Sequence, residues 1–164
     1  MANSKTKGVV KKILIGLLLL LVLIQFFHPA KNINTGPMPQ DIAAVYPMPD
    51  SVHRILQTSC YDCHSNNTAY PWYNNIQPVA WWLNDHVEEG KRELNFSEFG
   101  TFKTKRKLKK LKEIVSEVEE GEMPLSSYTI IHTNAVLSAR EKELIIQWAK
   151  GLTQQITMQP GVQE

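Results

Sequence analysis

The sequence has 164 residues, of which 43% are hydrophobic and 21% are charged, and its formal net charge is +2. This length suits one domain of ordinary size with short appendages. Four of the 18 basic residues are lysines that precede residue 13, which leaves 14 basic against 16 acidic residues in the rest of the chain, a formal charge of −2. The positive charge is confined to the N-terminus, so the composition gives no reason to expect nucleic-acid binding.

An apolar run follows those lysines, since residues 13–27 read ILIGLLLLLVLIQFF. The pattern predicts a transmembrane anchor over 13–28 behind a basic cytoplasmic N-terminus over 1–12. Because the positive charges precede the span, the expected location is the inner (cytoplasmic) membrane, crossed once, with the C-terminal domain in the periplasm. A cleaved signal peptide is the alternative, but no small-residue cleavage site follows the run directly.

The rest of the chain predicts an all-α fold. Residues 29–49 contain five prolines and one glycine and predict an extended, proline-stiffened linker. Beyond it, apolar residues recur at helical spacing, and only residues 128–132 show a weak strand-like alternation. We therefore expect a domain of four main helices over 50–153, followed by a disordered tail over 154–164.

The four helices are predicted from their periodicity and their caps. A glycine is expected to end each of the last three helices, at Gly90, Gly121 and Gly151. Ser138 and Glu141 have the spacing of a capping box at the start of the fourth. The predicted ranges are 51–63, 78–89, 104–120 and 139–150.

Both cysteines of the chain lie in the stretch TSCYDCHSN, residues 58–66. In an exported protein two cysteines by default form a disulfide. Their spacing is also that of a redox-active dithiol, but such motifs usually lie at a strand-to-helix junction, and here the pattern is helical. A zinc site would use Cys60 and Cys63 with His64, His86 or His132, yet a second closely spaced ligand pair is absent from the sequence.

Covalent haem attachment is the interpretation that uses all three residues of the motif. In Cys-x-x-Cys-His the two thiols add across the vinyl groups of the porphyrin, and the imidazole that follows can bind the iron. We therefore favour one haem c, held by thioether bonds to Cys60 and Cys63, with His64 as the proximal ligand. The disulfide, the dithiol and the zinc site remain as alternatives.

The sixth ligand of such a haem is expected to be Met123. It lies in the loop EGEMPLS after the third helix, whereas the other methionines fall in the N-terminus, the linker or the tail. His86, on one helical stripe with Trp82, is the runner-up. Aromatic residues are expected to cover the haem disc because they bury a large area at low entropic cost, and Trp72 or Tyr73 could also donate a hydrogen bond to a propionate.

Three segments together resemble a known family. They are CYDCHSNNTAYPWYNNIQPVAWWLNDHVEEGKRELNFSEF, then GEMP, then LSAREKELIIQW. They are similar to the haem-binding domain of small exported proteins of Bacteroidetes-type bacteria, a relative of the class I cytochromes c, over roughly residues 10–152. The resemblance implies a compact cytochrome c-like helical domain, with His64 proximal and Met123 distal by analogy with class I cytochromes.

Taken together, these patterns predict a membrane-anchored periplasmic c-type cytochrome that carries single electrons to or from an unidentified partner protein. A haem-based sensor or a peroxidase-like protein with a displaceable sixth ligand is the alternative. We expect a carrier and not an enzyme. The basic run KTKRKLKKLK, residues 103–112, is either a docking face for an acidic partner or anionic headgroups, or a solvated helix face with ion pairs such as Lys109–Glu113; we favour the second.

Overall fold

A computed structural model describes residues 4–158 of the chain. Within this range the protein has eight α-helices, three short 3₁₀ helices and no strand, so the all-α part of the predicted fold class is confirmed. The α-helices are α1 (Ser4–Ile24), α2 (Ile42–Val45), α3 (Asp50–Ser59), α4 (Tyr61–His64), α5 (Val79–Glu93), α6 (Thr104–Glu120), α7 (Ser126–Thr129) and α8 (Ala139–Thr157). The 3₁₀ helices are Trp72–Asn75, Phe96–Thr101 and Thr133–Ala135.

Helices α6 and α8 pack against each other, and the end of α6 and the start of α8 were predicted correctly. Gly121 ends α6 in the left-handed conformation, at a φ of 80°, which glycine adopts without a steric penalty. Ser138 and Glu141 form the capping box that opens α8. Gly151 does not end α8, which continues to Thr157 and buries Ile156. The predicted disordered tail is therefore helical over its first residues, and residues 159–164 lie outside the described range.

The chain divides into two compact units, of which the larger comprises residues 32–68 and 87 onwards. Its core is formed by apolar side chains from α2, α3, α6 and α8 together with the segments 94–99 and 137. The most deeply buried of these side chains are Ile42, Leu56, Phe96, Phe99, Leu111, Ile145 and Ile156.

The predicted linker over 29–49 does not behave as a spacer in its second half. Asp41 caps the short helix α2, and Ile42 is 0% exposed in the core. The carbonyl of Pro47 accepts a hydrogen bond from the indole of Trp148, at 3.4 Å. Earlier in the segment, the side-chain amide of Asn32 donates to the carbonyl of Ser65, at 2.8 Å. The proline-rich segment is therefore packed against the larger unit at several points along its length.

The smaller unit comprises the residues up to 31 and residues 69–86. Gln77 organises it: the backbone amide of Gln77 donates to Oε1 of Gln25, at 2.9 Å, and its side-chain amide donates to the carbonyl of Phe27, at 2.6 Å. Helix α1 ends at Ile24, before the end of the predicted anchor at residue 28. Among the helices of residues 4–158, none combines the length and the apolar character that crossing a membrane requires, so the predicted transmembrane helix is not supported.

The burial of Ile42 gives a direct test of the corrected linker. Ile42→Ala should lower the free energy of unfolding by about 2–5 kcal/mol, because it leaves a cavity in the core. Ile33→Ala is the matched control, since Ile33 lies in the same proline-rich segment but is 56% exposed; it should change stability by less than about 0.5 kcal/mol. Urea denaturation measures both, and equal effects of the two substitutions would show that residues 40–49 do not belong to the core.

Candidate functional site

The Cys-x-x-Cys-His motif forms one turn of helix in the larger unit. Helix α3 ends at Ser59, and Cys60 has a φ of −133°, which breaks the helix and starts α4 in a new direction. The carbonyl of Cys60 then accepts hydrogen bonds from the backbone amides of Cys63, at 3.2 Å, and His64, at 3.0 Å. The predicted single helix over 51–63 is thus two helices, and the break places the motif in a turn of its own.

The two residues between the cysteines anchor this turn. The hydroxyl of Tyr61 donates to Oδ1 of Asp41, at 3.0 Å, and its ring stacks on Phe96 with centroids 5.1 Å apart. Asp62 accepts a hydrogen bond from the hydroxyl of Tyr128 at Oδ2, at 2.8 Å. The turn is therefore tied both to the segment before α3 and to the segment around α7.

His64 has its imidazole fixed by the end of helix α5. Its Nδ1 lies 3.0 Å from the carbonyl oxygens of both Gly90 and Leu94. A carbonyl can only accept a hydrogen bond, so Nδ1 carries the proton and Nε2 keeps its lone pair. Burial lowers the pKa of His64 and outweighs the effect of the two carbonyls, so the ring is neutral at neutral pH. A neutral imidazole with a free Nε2 is the form that binds a metal.

Gly90 permits this arrangement and does not end the helix as predicted. It lies inside α5, which continues to Glu93. A Cβ atom at this position would lie 2.6 Å from the carbonyl oxygen of Cys63 and 3.1 Å from its carbonyl carbon. Glycine was interpreted as a stop signal because it is unfavourable within helices. At position 90 glycine is nevertheless needed, because a side chain would prevent α5 from approaching the motif so closely.

His64 faces a cavity of about 370 Å³ in the larger unit. Cavities of about 300–1,000 Å³ are typical of small-molecule sites. Most of its wall is apolar, and Cys60, His64 and Met123 all line it, so the structure brings three of the predicted site residues together. The remaining lining residues are Leu56, Glu93, Leu94, Phe96, Lys110, Glu113, Ile114, Glu117, Val118 and Ile145.

Met123 reaches the cavity through the turn that ends α6. The backbone amides of Gly121, Glu122 and Met123 all converge on the carbonyl of Glu117, at 3.0–3.2 Å. This hook reverses the chain directly after the helix, so Met123 lies beside the helical face that supplies Ile114 and Val118 to the same cavity. The thioether of Met123 is a second group on this cavity that could bind a metal ion, in addition to the imidazole of His64.

The state of the cysteines separates the interpretations that the sequence left open. Cys60 and Cys63 are not joined in a disulfide. Burial, reinforced by the neighbouring thiol, raises the pKa of Cys60 to about 12, and burial with the charge of Asp62 raises the pKa of Cys63 to about 11. A redox dithiol needs a thiolate, which these values disfavour. In residues 4–158 no group of three or more His, Cys, Asp and Glu side chains is placed to hold a metal ion.

Several predicted residues do not line this cavity. Cys63 directs its backbone towards Gly90 and is absent from the wall. Trp72, Tyr73 and Trp82 belong to the smaller unit, where Trp72 is 75% exposed and Trp82 is 45% exposed. Nδ1 of His86 bonds to the carbonyl of Trp82, at 2.9 Å. Their proposed contacts with a cofactor stay predictions.

Sequence reasoning missed two contributors to the site. The carbonyl of Leu94 is a backbone group, so its residue type does not indicate its role. Its contact with His64 depends on where α5 ends. Lys110 stood inside a run of basic residues that was interpreted as a surface, yet its side chain is only 9% exposed. Its place on the helical stripe of Leu111, Ile114 and Val118 was the one available signal that it points inwards.

An all-α unit that presents a neutral imidazole and a methionine to one apolar cavity, beside a Cys-x-x-Cys-His turn, has the features of a haem-binding protein. Residues 19–151 match the family described as the haem-binding domain, and the chain belongs to that family. The prediction of haem as the ligand is thereby confirmed. No curated protein and no solved structure matches the chain.

The contact between Gly90 and Cys63 predicts opposite effects of one substitution at two helical glycines. Gly90→Ala should destabilise the protein by about 1–3 kcal/mol, because the new methyl group overlaps the backbone of the motif, and it should lower haem content. Gly151→Ala, also inside a helix but where an added methyl group would meet no neighbouring atom within 4 Å, should stabilise it by about 0.5–1 kcal/mol. Thermal unfolding and haem quantification measure both; a Gly90→Ala variant with full stability and haem content would contradict the assignment.

Proposed function

We propose that the protein is a c-type cytochrome that binds one haem covalently and carries single electrons. The observation that carries this proposal is the fixed tautomer of His64: Nδ1 is held by two carbonyls, at 3.0 Å each, which leaves Nε2 with its lone pair, and His64 lines the cavity. Only one side of the motif histidine is available, and it is the side that iron would use. We also propose that the protein is related to the class I cytochromes c.

The residues present fit a haem c. Cys60 lines the cavity, and Cys63 lies one helical turn away in the same motif. Each thiol would add its sulfur to one carbon of a vinyl group and its hydrogen to the other, so attachment consumes no oxidant or reductant. The apolar side chains Leu56, Phe96 and Ile114 would exclude water from the ring.

Electron carrying is supported by the pair His64 and Met123 on one cavity. When bound, haem supplies a reversible one-electron couple, and axial histidine with methionine raises its potential. Two protein ligands leave no position open for a substrate, which favours a carrier over a sensor or a peroxidase. Hydrogen bonds hold the ring of His64 and the backbone of Met123 in place, which suits a site in which little moves when the charge of the iron changes.

Covalent attachment predicts that acidified acetone will not extract haem from protein produced with a haem c maturation system. Cys60→Ala and Cys63→Ala should each leave a single thioether bond, and the double variant should release its haem completely. Intact mass spectrometry under denaturing conditions measures the attachment. A wild-type protein that loses its haem in acetone would bind haem without covalent bonds, and this part of the proposal would fail.

The assignment of Met123 predicts the loss of methionine ligation on one substitution. Met123→Ala should abolish the weak long-wavelength band that methionine ligation gives to ferric haem, lower the reduction potential, and allow the reduced protein to bind carbon monoxide. Met158→Ala is the matched control, because Met158 is 81% exposed. Rapid carbon monoxide binding by the unmodified reduced protein would favour the sensor or peroxidase instead.

Membrane attachment and a periplasmic haem domain complete the proposal. They are supported by the apolar side chains of α1, which are exposed along its length, for instance 57% for Leu17 and 47% for Leu21, and by the lysines that precede them. The protein should stay with the membrane fraction through washes at high salt and high pH. Replacing both leucines with lysine should move it to the soluble fraction, since each charge in an apolar environment is costly. Recovery of the unaltered protein in the soluble fraction would contradict attachment.

A further inference from the structure

Lys110 is a charged residue in an unusual position. Among residues 6–158 it is the one charged residue that is buried, with 7% of its surface exposed. It lies on α6 and lines the same cavity as His64 and Met123. A long cationic side chain normally places its charge in water, so the burial of a lysine in the wall of a mostly apolar cavity needs a physical explanation.

Two carboxylates keep Lys110 charged. Its Nζ lies 2.6 Å from Oε2 of Glu113 on the same helix and 3.3 Å from Oε2 of Glu93 at the end of α5. Burial disfavours the ammonium, but these two hydrogen bonds outweigh it and hold the pKa of Lys110 above its ordinary value. The site therefore contains a permanent positive charge at neutral pH.

Stability alone is a weak reason for this arrangement. Removing an ammonium from water costs more than a single ion pair usually returns, and an apolar residue at such a position is often as stable or more stable. The surroundings of Lys110 point to the ligand site instead. Glu93 directly precedes Leu94, whose carbonyl holds the imidazole of His64. The charge of Lys110 is also among the effects that lower the pKa of His64, so its field reaches the imidazole.

We propose that Lys110 raises the reduction potential of the haem that His64 binds. Reduction adds one electron to ferric iron and gives ferrous iron, and a positive charge in the cavity wall opposes the additional charge of the ferric state. This inference rests on the proposed haem site. Because the side chain of Lys110 is only 9% exposed, water screens its field less than that of a surface charge.

The two glutamates offset this field only in part. The side chain of Glu113 is 37% exposed and that of Glu93 is 65% exposed, whereas that of Lys110 is 9% exposed. Water screens the carboxylates more than the ammonium. Both glutamates line the cavity, as does Glu117, so the ammonium of Lys110 stands among three carboxylates and raises the potential relative to a neutral residue at position 110.

The test is the midpoint potential of the haem-loaded protein, measured by spectroelectrochemical titration. Lys110→Met removes the charge with little change in volume and should lower the potential. Lys110→Arg keeps the charge and should restore most of the original value. Lys109→Met is the matched control: Lys109 pairs with the same Glu113, at 3.4 Å, but its side chain is 70% exposed, so the potential should shift by much less.

The inference would be overturned if the midpoint potential shifted no more in Lys110→Met than in Lys109→Met, with haem content and ligand bands unchanged. Lys110 would then only stabilise the packing of α5 against α6. If Lys110→Met does not yield loaded protein, Lys110→Gln decides, because it also removes the positive charge and should lower the potential; an unchanged potential would again overturn the inference. Failure of the wild-type protein to bind haem at all would refute the proposed function itself.

Discussion

The close approach of α5 to the turn that carries the two cysteines is the constraint on which the site depends. At Gly90 the two backbones come so near that a methyl group would meet the carbonyl of Cys63. Only at this separation can the carbonyls of Gly90 and Leu94 both reach Nδ1 of His64. The backbone of one helix thereby sets the tautomer and the orientation of the side chain that we propose as the haem ligand.

The cavity combines an apolar wall with one buried lysine, and helix α6 supplies the lysine and part of the apolar wall. Its inward face carries Ile114 and Val118 beside Lys110. The other basic residues at the start of α6 oppose the helix dipole, and neighbouring groups compensate them locally. Arg106 lies 4.1 Å from the ring centroid of Phe102, and the predicted ion pair of Lys109 with Glu113 is confirmed, at 3.4 Å. Part of the basic run is thus explained by local contacts.

The sequence predicts the features that local chemistry determines. The capping box at Ser138, the left-handed glycine at Gly121 and the helical period of α6 were all predicted correctly, because each depends on a few neighbouring residues. The haem ligand was predicted for the same reason, since the motif is contiguous. Met123 was predicted as a haem ligand from its position in the loop after a helix, and the structure places it on the same cavity as His64.

The errors arise where distant segments meet. Gly90 has the local pattern of a helix stop, and only its contact with Cys63, a residue of another helix, shows why it lies inside α5. Residues 40–49 have the composition of a linker, yet Ile42 fills a space that α3 and the segment around Phe99 leave in the core. The burial of Lys110 was not predicted, because its neighbours in the sequence are basic and the whole run was interpreted as a solvated face. Each of these residues is determined by tertiary packing, which overrides local preference.

The tautomer of His64 tests the central claim most directly. In ¹⁵N-labelled, reduced, haem-loaded protein, long-range ¹H–¹⁵N NMR should show a proton on Nδ1 that is protected from exchange with water, and no proton on Nε2. This is the result expected if the carbonyls of Gly90 and Leu94 accept from Nδ1 and the iron occupies Nε2. A proton on Nε2, or an Nδ1 proton that exchanges freely with water, would contradict the account.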